Sequence, residues 1–242
     1  MKRFLVLLWL LLPLPVVVLH FSRGQKWLAL DEARVLVTKG EQAEKQEDWA
    51  KADAFYQEAA KLVGANRPDA KMRLDLAQVR TRFRKGEAVA AIDLADQLLN
   101  DPTMTNMPGA FQNEARELAG RIHYYAAWVM RLEGAQKELW MEEAELARQN
   151  YRMLVEESGV SAGTKDHQKD LESAVQLQRL SLTELMARPL PKEGQCMSNQ
   201  GLSEQMAKRR GQRGKNPGTG QNKQGPPDKG AGISRFQPGS GS

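Results

Sequence analysis

The sequence has few of the residues that build reactive sites or β-sheets. It contains one cysteine, Cys196, which excludes an internal disulfide and any metal site made of several cysteines. Aromatic residues make up only 6% of the chain, and its middle lacks the Val/Ile/Thr clusters that strands favour. Ala, Leu, Glu, Gln, Lys and Arg dominate there instead. This composition predicts an all-α fold.

Motifs for catalysis and for cofactor binding are also missing. His20, His123 and His167 lie in separate segments without the spacing of metal ligands. No glycine-rich loop ends in Lys-Ser or Lys-Thr after a strand, and no serine lies in a nucleophile elbow. Neighbouring carboxylates such as Glu142 and Glu143 are typical of solvated helix faces. The sequence therefore predicts a protein that is not an enzyme and that uses no cofactor and no metal.

The amino terminus combines basic charge with a long apolar run. Lys2 and Arg3 precede residues 4–21, an 18-residue stretch with one polar member. That length is at the lower edge for a membrane span and above the usual apolar core of a signal peptide. We expect residues 1–24 to be a retained signal-anchor or a signal peptide cleaved near Gly24. A buried core helix is the third alternative, and a short basic amino terminus predicts a body that faces outward.

The middle of the chain alternates small and aromatic residues at helical spacing. Steps of three and four place four residues of the stretch 48–62 on one helix face; these are Trp49, Ala52, Tyr56 and Ala59. Alanines allow another helix to approach closely, and the rings fill the gaps between the backbones. Residues 33–45 form a second helical stretch just upstream. Together the two stretches predict a helical hairpin.

This hairpin resembles a tetratricopeptide repeat (TPR), a helical pair of about 34 residues. Trp49, Ala52, Tyr56 and Ala59 match the pattern of the second helix in this family, and Leu36 and Gly40 match the bulky and small residues of its first helix. Lys39 departs from the pattern, because a leucine is usual at that position.

Weaker versions of the same pattern follow. Residues 70–100 read as a second hairpin, and residues 111–158 read as a long helical region with a break at Gly134. The TPR-like positions in these regions are Ala91, Ala147 and Tyr151. The last helix is expected over residues 165–187, where it would cover the final apolar face. The resemblance implies a short right-handed TPR-like α-solenoid over residues 25–188.

The remaining residues, 189–242, are rich in glycine and proline and basic. From residue 191 onward there are 11 of the 20 glycines, and nine Lys/Arg residues face three Asp/Glu residues. Such a segment buries too little apolar surface to order itself, so it is expected to be a disordered tail. Its basic cluster consists of Lys208, Arg209, Arg210, Arg213 and Lys215. A single aromatic residue, Phe236, argues against nucleic acid as its partner.

Two kinds of function follow. The resemblance implies a non-catalytic interaction scaffold that binds a peptide or a partner domain. A membrane-associated protein is one kind of partner in this hypothesis. In this class Lys39, Gln42 and Arg82 would face the groove. The layout also resembles TPR proteins of bacterial aerotolerance-type operons, which implies an inner-membrane anchor through residues 4–21 and a periplasmic body, or a secreted periplasmic protein after cleavage. The alternative is a basic-tailed binder of nucleic acid or anionic membrane, with the helices as a spacer.

Overall fold

The protein is all-α over the residues that its computed structural model describes, which are 25–64, 67–158, 164–187 and 201–215. Within these ranges 89% of the residues are helical and none lies in a strand. The all-α class expected from the composition is therefore confirmed. The chain divides into two compact units, Met1–Met206 and Ala207–Ser242.

The described ranges contain nine α-helices and one short 3₁₀-helix. They are α1 (Gln25–Lys45), α2 (Trp49–Val63), α3 (Pro68–Lys85), α4 (Ala88–Asn100), the 3₁₀-helix (Pro102–Asn106), α5 (Gly109–Leu132), α6 (Lys137–Ser158), α7 (Thr164–Arg179), α8 (Leu182–Met186) and α9 (Leu202–Lys215). The short connections make neighbouring helices antiparallel. The expected break at Gly134 is present, and this glycine follows α5 with a φ of 73°, which favours glycine.

Adjacent helices pack against each other along the chain. Each helix from α1 to α6 contacts the next one, and α8 packs against α5. One large apolar cluster joins α3, α4, α5 and the start of α6, and also takes in Leu177, Leu185, Leu202 and Met206. A smaller cluster joins α1 and α2 to Leu74 of α3. The packing is therefore sequential, with each helix covering the apolar face of its neighbour.

The small and aromatic residues of the pattern lie inside these contacts. Four of its alanines are fully buried; these are Ala52, Ala59, Ala91 and Ala147. Tyr56 and Tyr151 are 3% and 4% exposed. Trp49 is half-buried, and the guanidinium of Arg84 on α3 lies 5.8 Å from the centre of its ring.

Two glycines allow the tyrosines to approach the facing helix. A Cβ atom on Gly40 of α1 would lie 2.5 Å from Cε1 of Tyr56, and one on Gly120 of α5 would lie 3.0 Å from Cε1 of Tyr151. Both distances are shorter than ordinary van der Waals contact. In both the α1–α2 pair and the α5–α6 pair, a glycine of the first helix therefore contacts the ring of a tyrosine of the second.

Two expectations differ from the structure after residue 164. The single last helix expected over residues 165–187 is divided into α7 and α8, because Ser181 and Glu184 form a reciprocal capping box that begins a new helix. The disordered tail expected after residue 188 is wrong for residues 201–215, since α9 is helical. Leu202 and Met206 are buried, and their apolar contacts supply what the tail composition lacks.

Glu133, at the end of α5, orders the start of α9. Its carboxylate accepts hydrogen bonds from the backbone N–H groups of Gly201, Leu202 and Ser203 at 2.7–3.2 Å, and from the Ser203 hydroxyl. These donors have no partner within a helix, so the carboxylate caps α9.

None of the helices in the described ranges is long and apolar enough to cross a membrane. The segment expected to be a membrane helix or signal peptide, residues 4–21, lies outside the described residues. Residues 188–200 and 216–242 of the expected tail lie outside them as well.

Candidate partner-binding groove

A groove of about 830 Å³ lies along α1 and α3 and ends at the first turns of α5. Its lining residues recur at steps of three and four along α1 and α3, as expected for one face of each helix. From α1 and α2 they are Leu30, Ala33, Arg34, Val37, Thr38, Glu41, Glu44, Lys45, Tyr56 and Val63. From α3, the residue before it and α5 they are Arg67, Ala70, Arg73, Leu74, Leu76, Ala77, Arg80, Phe111 and Glu114.

The wall of the groove between its charged residues is apolar. Leu30 and Val37 of α1 line it, as do Ala70 and Leu74 of α3. Tyr56 of α2 reaches the same surface. Burial raises the pKa of the Tyr56 hydroxyl well above its usual range, and the neighbouring Glu44 carboxylate raises it further. This tyrosine is therefore neutral at physiological pH and acts as part of the wall.

One arginine connects three of the helices that line the groove. Arg80 of α3 lies 3.4 Å from Glu44 of α1 and 3.0 Å from Glu114 of α5. The Arg80 side chain is 40% exposed, so solvent screens these ion pairs and each contributes little to stability. Their consequence is geometric: they bring two carboxylates and one guanidinium together at one end of the groove.

The other end of the groove is basic. Arg67 precedes α3, and Arg73 lies one turn and a half further on, with its guanidinium 5.7 Å from the centre of the Phe111 ring. Arg34 of α1 also lines the groove, and it pairs at 3.2 Å with the exposed carboxylate of Asp31. The groove therefore offers an apolar wall between ends of different charge.

The three residues expected from the sequence to face a partner are not among those that line this groove. Lys39 is exposed on α1 with its ammonium 6.0 Å from the centre of the Phe55 ring, and Gln42 is exposed. Arg82 lies 3.4 Å from the buried carboxylate of Asp53, which also lies 3.1 Å from Nζ of Lys85. Arg82 therefore connects α3 to α2, and the partner-binding role of these residues stays a prediction.

The basic cluster expected in the tail falls on α9. Lys208 and Arg210 are exposed, whereas Arg209 is 8% exposed. The backbone of Arg213 and Lys215 continues the same helix. The cluster is therefore carried by a helix and not by an irregular segment.

A buried ionic group lies outside the groove, between α4, α5 and α6. His123 is 1% exposed; its Nδ1 lies 2.6 Å from Oε2 of Glu143 and its Nε2 lies 3.3 Å from Oδ1 of Asp96. Burial lowers the pKa of His123, but the contacts with Asp96 and Glu143 outweigh it and raise the pKa to about 9. The imidazolium is thus enclosed between two carboxylates. Glu143 does not lie on a solvated face as expected, because this cation compensates its burial.

No pattern in the sequence indicated the groove residues on α3 and α5. Arg73, Arg80, Phe111 and Glu114 come from two helices that only the tertiary fold brings next to α1. The helical stretch expected over residues 33–45 is part of α1, which begins at Gln25. The seven-residue spacing of Leu30 and Val37 is the signal in the sequence that could have indicated this face.

No group of three or more His, Cys, Asp or Glu residues within the described part of the chain could hold a metal ion. Comparison of the chain with protein-family models, with curated proteins and with solved structures gives no significant match.

Proposed function

We propose that this chain is a non-catalytic interaction scaffold, a short right-handed TPR-like α-solenoid that binds a peptide or a partner domain. The observation that carries the proposal is the shared groove of α1, α3 and α5. These are the first helices of three successive antiparallel pairs. A volume of about 830 Å³ falls in the range of ligand sites, about 300–1,000 Å³.

The chemistry of the groove favours docking over reaction. Three ionic groups at the acidic end, Arg80, Glu44 and Glu114, are already paired with one another. Its remaining surface is largely aliphatic, from residues such as Val37 and Leu74. Apolar walls with a few charged groups at the edges are typical of surfaces that recognise another polypeptide.

An anchor in the envelope completes the proposal. The apolar run 4–21 would hold the protein in the inner membrane, and residues from 25 onward would face the periplasm. Cleavage near Gly24 would instead release the same domain. Fractionation of cells, with the mass of the mature amino terminus, separates these two arrangements.

Site-specific photo-crosslinking tests the scaffold. A benzophenone side chain in place of Thr38 lies in the groove, whereas one in place of Glu58 lies on the exposed face of α2. We expect a discrete crosslinked partner from position 38 and none from position 58. A third position, Gln42, tests the surface expected from the sequence. Equal crosslinking from positions 38 and 58 would contradict docking in the groove.

The second candidate function is a binder of anionic membrane or nucleic acid through the basic residues of α9. It is favoured by the exposed Lys208 and Arg210, which share one helix. Binding through such a cluster falls steeply with salt, whereas docking in a largely apolar groove falls little. The crosslinking yield, measured at increasing salt concentrations before irradiation, therefore separates the two functions. Loss of partner binding on truncation at Pro191 would favour the tail.

A further inference from the structure

We propose that the groove selects a peptide segment by its charge polarity: acidic side chains at one end, apolar side chains in the middle and no acidic side chain at the other end. This inference rests on the proposed docking function and names the chemistry of its partner. The occupant is a segment of a different protein.

The two ends of the groove are separated along both walls. Arg34 is ten residues before Glu44 on α1, which is about 15 Å of helix. Arg67 is thirteen residues before Arg80 on α3, about 20 Å. Because Arg80 contacts Glu44 directly and α1 and α3 both run antiparallel to α2, the amino-terminal halves of α1 and α3 lie at the same end.

The charges at the two ends differ in sign. Two arginines line the first end, Arg34 and Arg67, and the carboxylate of Asp31 pairs with Arg34 there, whereas Arg73 lies about halfway towards Arg80. Three carboxylates and two cations line the second: Glu41, Glu44, Glu114, Arg80 and Lys45. The first end therefore carries a positive excess, and the second carries a slight negative excess. A peptide with acidic groups at both ends meets repulsion at the second end.

Two cations outside the negative end are available to a partner. Arg73 faces the Phe111 ring, and neither Arg73 nor Arg67 forms an ion pair with the described residues. At the negative end Glu41 is exposed. A distance of about 15–20 Å corresponds to about five or six residues of extended chain. The apolar wall of Val37, Ala70 and Leu74 covers the middle of that length.

Binding of designed peptides to the full chain in detergent tests the proposal. The probes are four fluorescent ten-residue peptides that share the same central segment of Leu, Val and Ala. Two of them carry a pair of Asp residues at one end and a pair of Lys residues at the other, in opposite orders. The third carries Asp pairs at both ends, and the fourth carries Asn pairs at both ends. We expect the tighter of the two Asp/Lys peptides to bind about three- to tenfold more tightly than the other two kinds, measured by fluorescence anisotropy.

Paired variants assign the effect to the two ends. Arg67→Gln should weaken the Asp/Lys peptide about threefold and leave the Asn peptide unchanged. Glu41→Gln should strengthen the peptide with Asp at both ends. The control variants are Arg179→Gln and Glu32→Gln, which remove an exposed charge outside the groove and should change none of these affinities.

Each result decides one of the two proposals. Equal binding of all probes, sensitive to a bulky Thr38→Trp substitution, would overturn polarity but keep docking in the groove. Absence of binding by every probe would overturn the docking function itself. Displacement of the probe by a synthetic peptide of residues 216–242, or a dimer that Arg67→Gln dissociates, would overturn a partner in trans, because the occupant would be this chain.

Discussion

The α1–α2 pair and the α5–α6 pair are helical hairpins of different lengths that pack through the same kind of close contact. In both, a glycine on the first helix allows a tyrosine of the second to approach the backbone: Gly40 with Tyr56 and Gly120 with Tyr151. The residue four positions before each tyrosine is a fully buried alanine, Ala52 or Ala147. The short pair and the long pair therefore share their contact surface at the same spacing.

The long pair is extended at its loop end. α1 continues five residues beyond Gly40, whereas α5 continues twelve beyond Gly120. Tyr56 comes seven residues after the first residue of α2, and Tyr151 comes fourteen after that of α6. Each helix of the long pair thus has seven additional residues, about two turns.

The position of the turn in the α1–α2 pair shows which interactions the longer α5–α6 pair needs at the equivalent residues. There the backbone N–H of Asp48 donates to the carbonyl of Ala43 at 2.9 Å, which closes the turn. The residues at the same offsets in the long pair are Glu143 and His123, and they form the buried ion pair. A turn needs only backbone hydrogen bonds and water, whereas a continued helix interface needs side chains that compensate each other. This comparison predicts where the two pairs will respond differently to change.

The largest difference is expected when the buried cation is removed. His123→Ala should lower the free energy of unfolding by about 3–5 kcal/mol, because Glu143 would stay buried, and Asp96 half-buried, without a counter-charge. Urea unfolding followed by circular dichroism measures it. The matched variant with His123→Met, Glu143→Leu and Asp96→Leu should recover most of this loss, since an apolar set needs no counter-charge. A similar loss in both variants would mean that packing volume, and not charge, is what this site supplies.

A pH titration should isolate the same group. The pKa of His123 is raised from 6.5 to about 9, so its contribution is complete below pH 6.5 and is lost as the pH rises through 9. We expect the free energy of unfolding to fall by on the order of 3 kcal/mol over this range. The apolar triple variant lacks the group and provides the baseline. An unchanged slope in that variant would show that other groups titrate.

Substitution of Gly40 and Gly120 by alanine compares how closely the tyrosine approaches the glycine in the two helix pairs. Gly40→Ala should destabilise by about 1–2 kcal/mol, because overpacking against Tyr56 exceeds the gain of about 1 kcal/mol in helix propensity. Gly120→Ala should cost about 1 kcal/mol less, since its contact with Tyr151 is longer, 3.0 Å against 2.5 Å. Thermal unfolding of both variants and of Gly109→Ala, whose added Cβ would contact nothing within 4 Å, makes the measurement. The reverse order of Gly40 and Gly120 would contradict a shared contact.

The smallest change in stability is expected when the Glu133 carboxylate, which follows α5, is removed. Glu133→Ala should destabilise α9 by about 1 kcal/mol, as expected for the loss of a helix cap. Hydrogen exchange at the amides of residues 201–203 should accelerate about fivefold, while exchange in α1 and α2 stays the same. Glu138→Ala, at an exposed position on α6, is the control. Unchanged exchange would mean that Leu202 and Met206 alone order this segment.

Several features of the fold follow from the sequence because they are local. The small and aromatic residues around Tyr56 and Tyr151 are spaced for one helix face, and Gly134 interrupts an otherwise continuous helical pattern. The position of a helix break at Ser181 was not expected, because the apolar spacing continues through it and the cap is a side-chain hydrogen bond. The helix at residues 202–215 was missed, since composition averages over a segment and hides the four-residue spacing of Leu202 and Met206.

The candidate site depends more strongly on the tertiary structure. Arg80 lies 36 residues from Glu44 and 34 from Glu114, and no spacing rule relates such distant positions. His123 gave a partial indication, because it follows Ile122 on the buried face of α5. Its partners at positions 96 and 143 come from two other helices.

The amino-acid sequence by itself determined the helical segments before residue 188 and which faces of these helices are apolar, because both depend on residues three or four positions apart. Only the tertiary structure decided which charges meet: those of the groove, and those around His123. Electrostatic pairing depends on distance in space, and helices from separate parts of the chain set that distance when they pack.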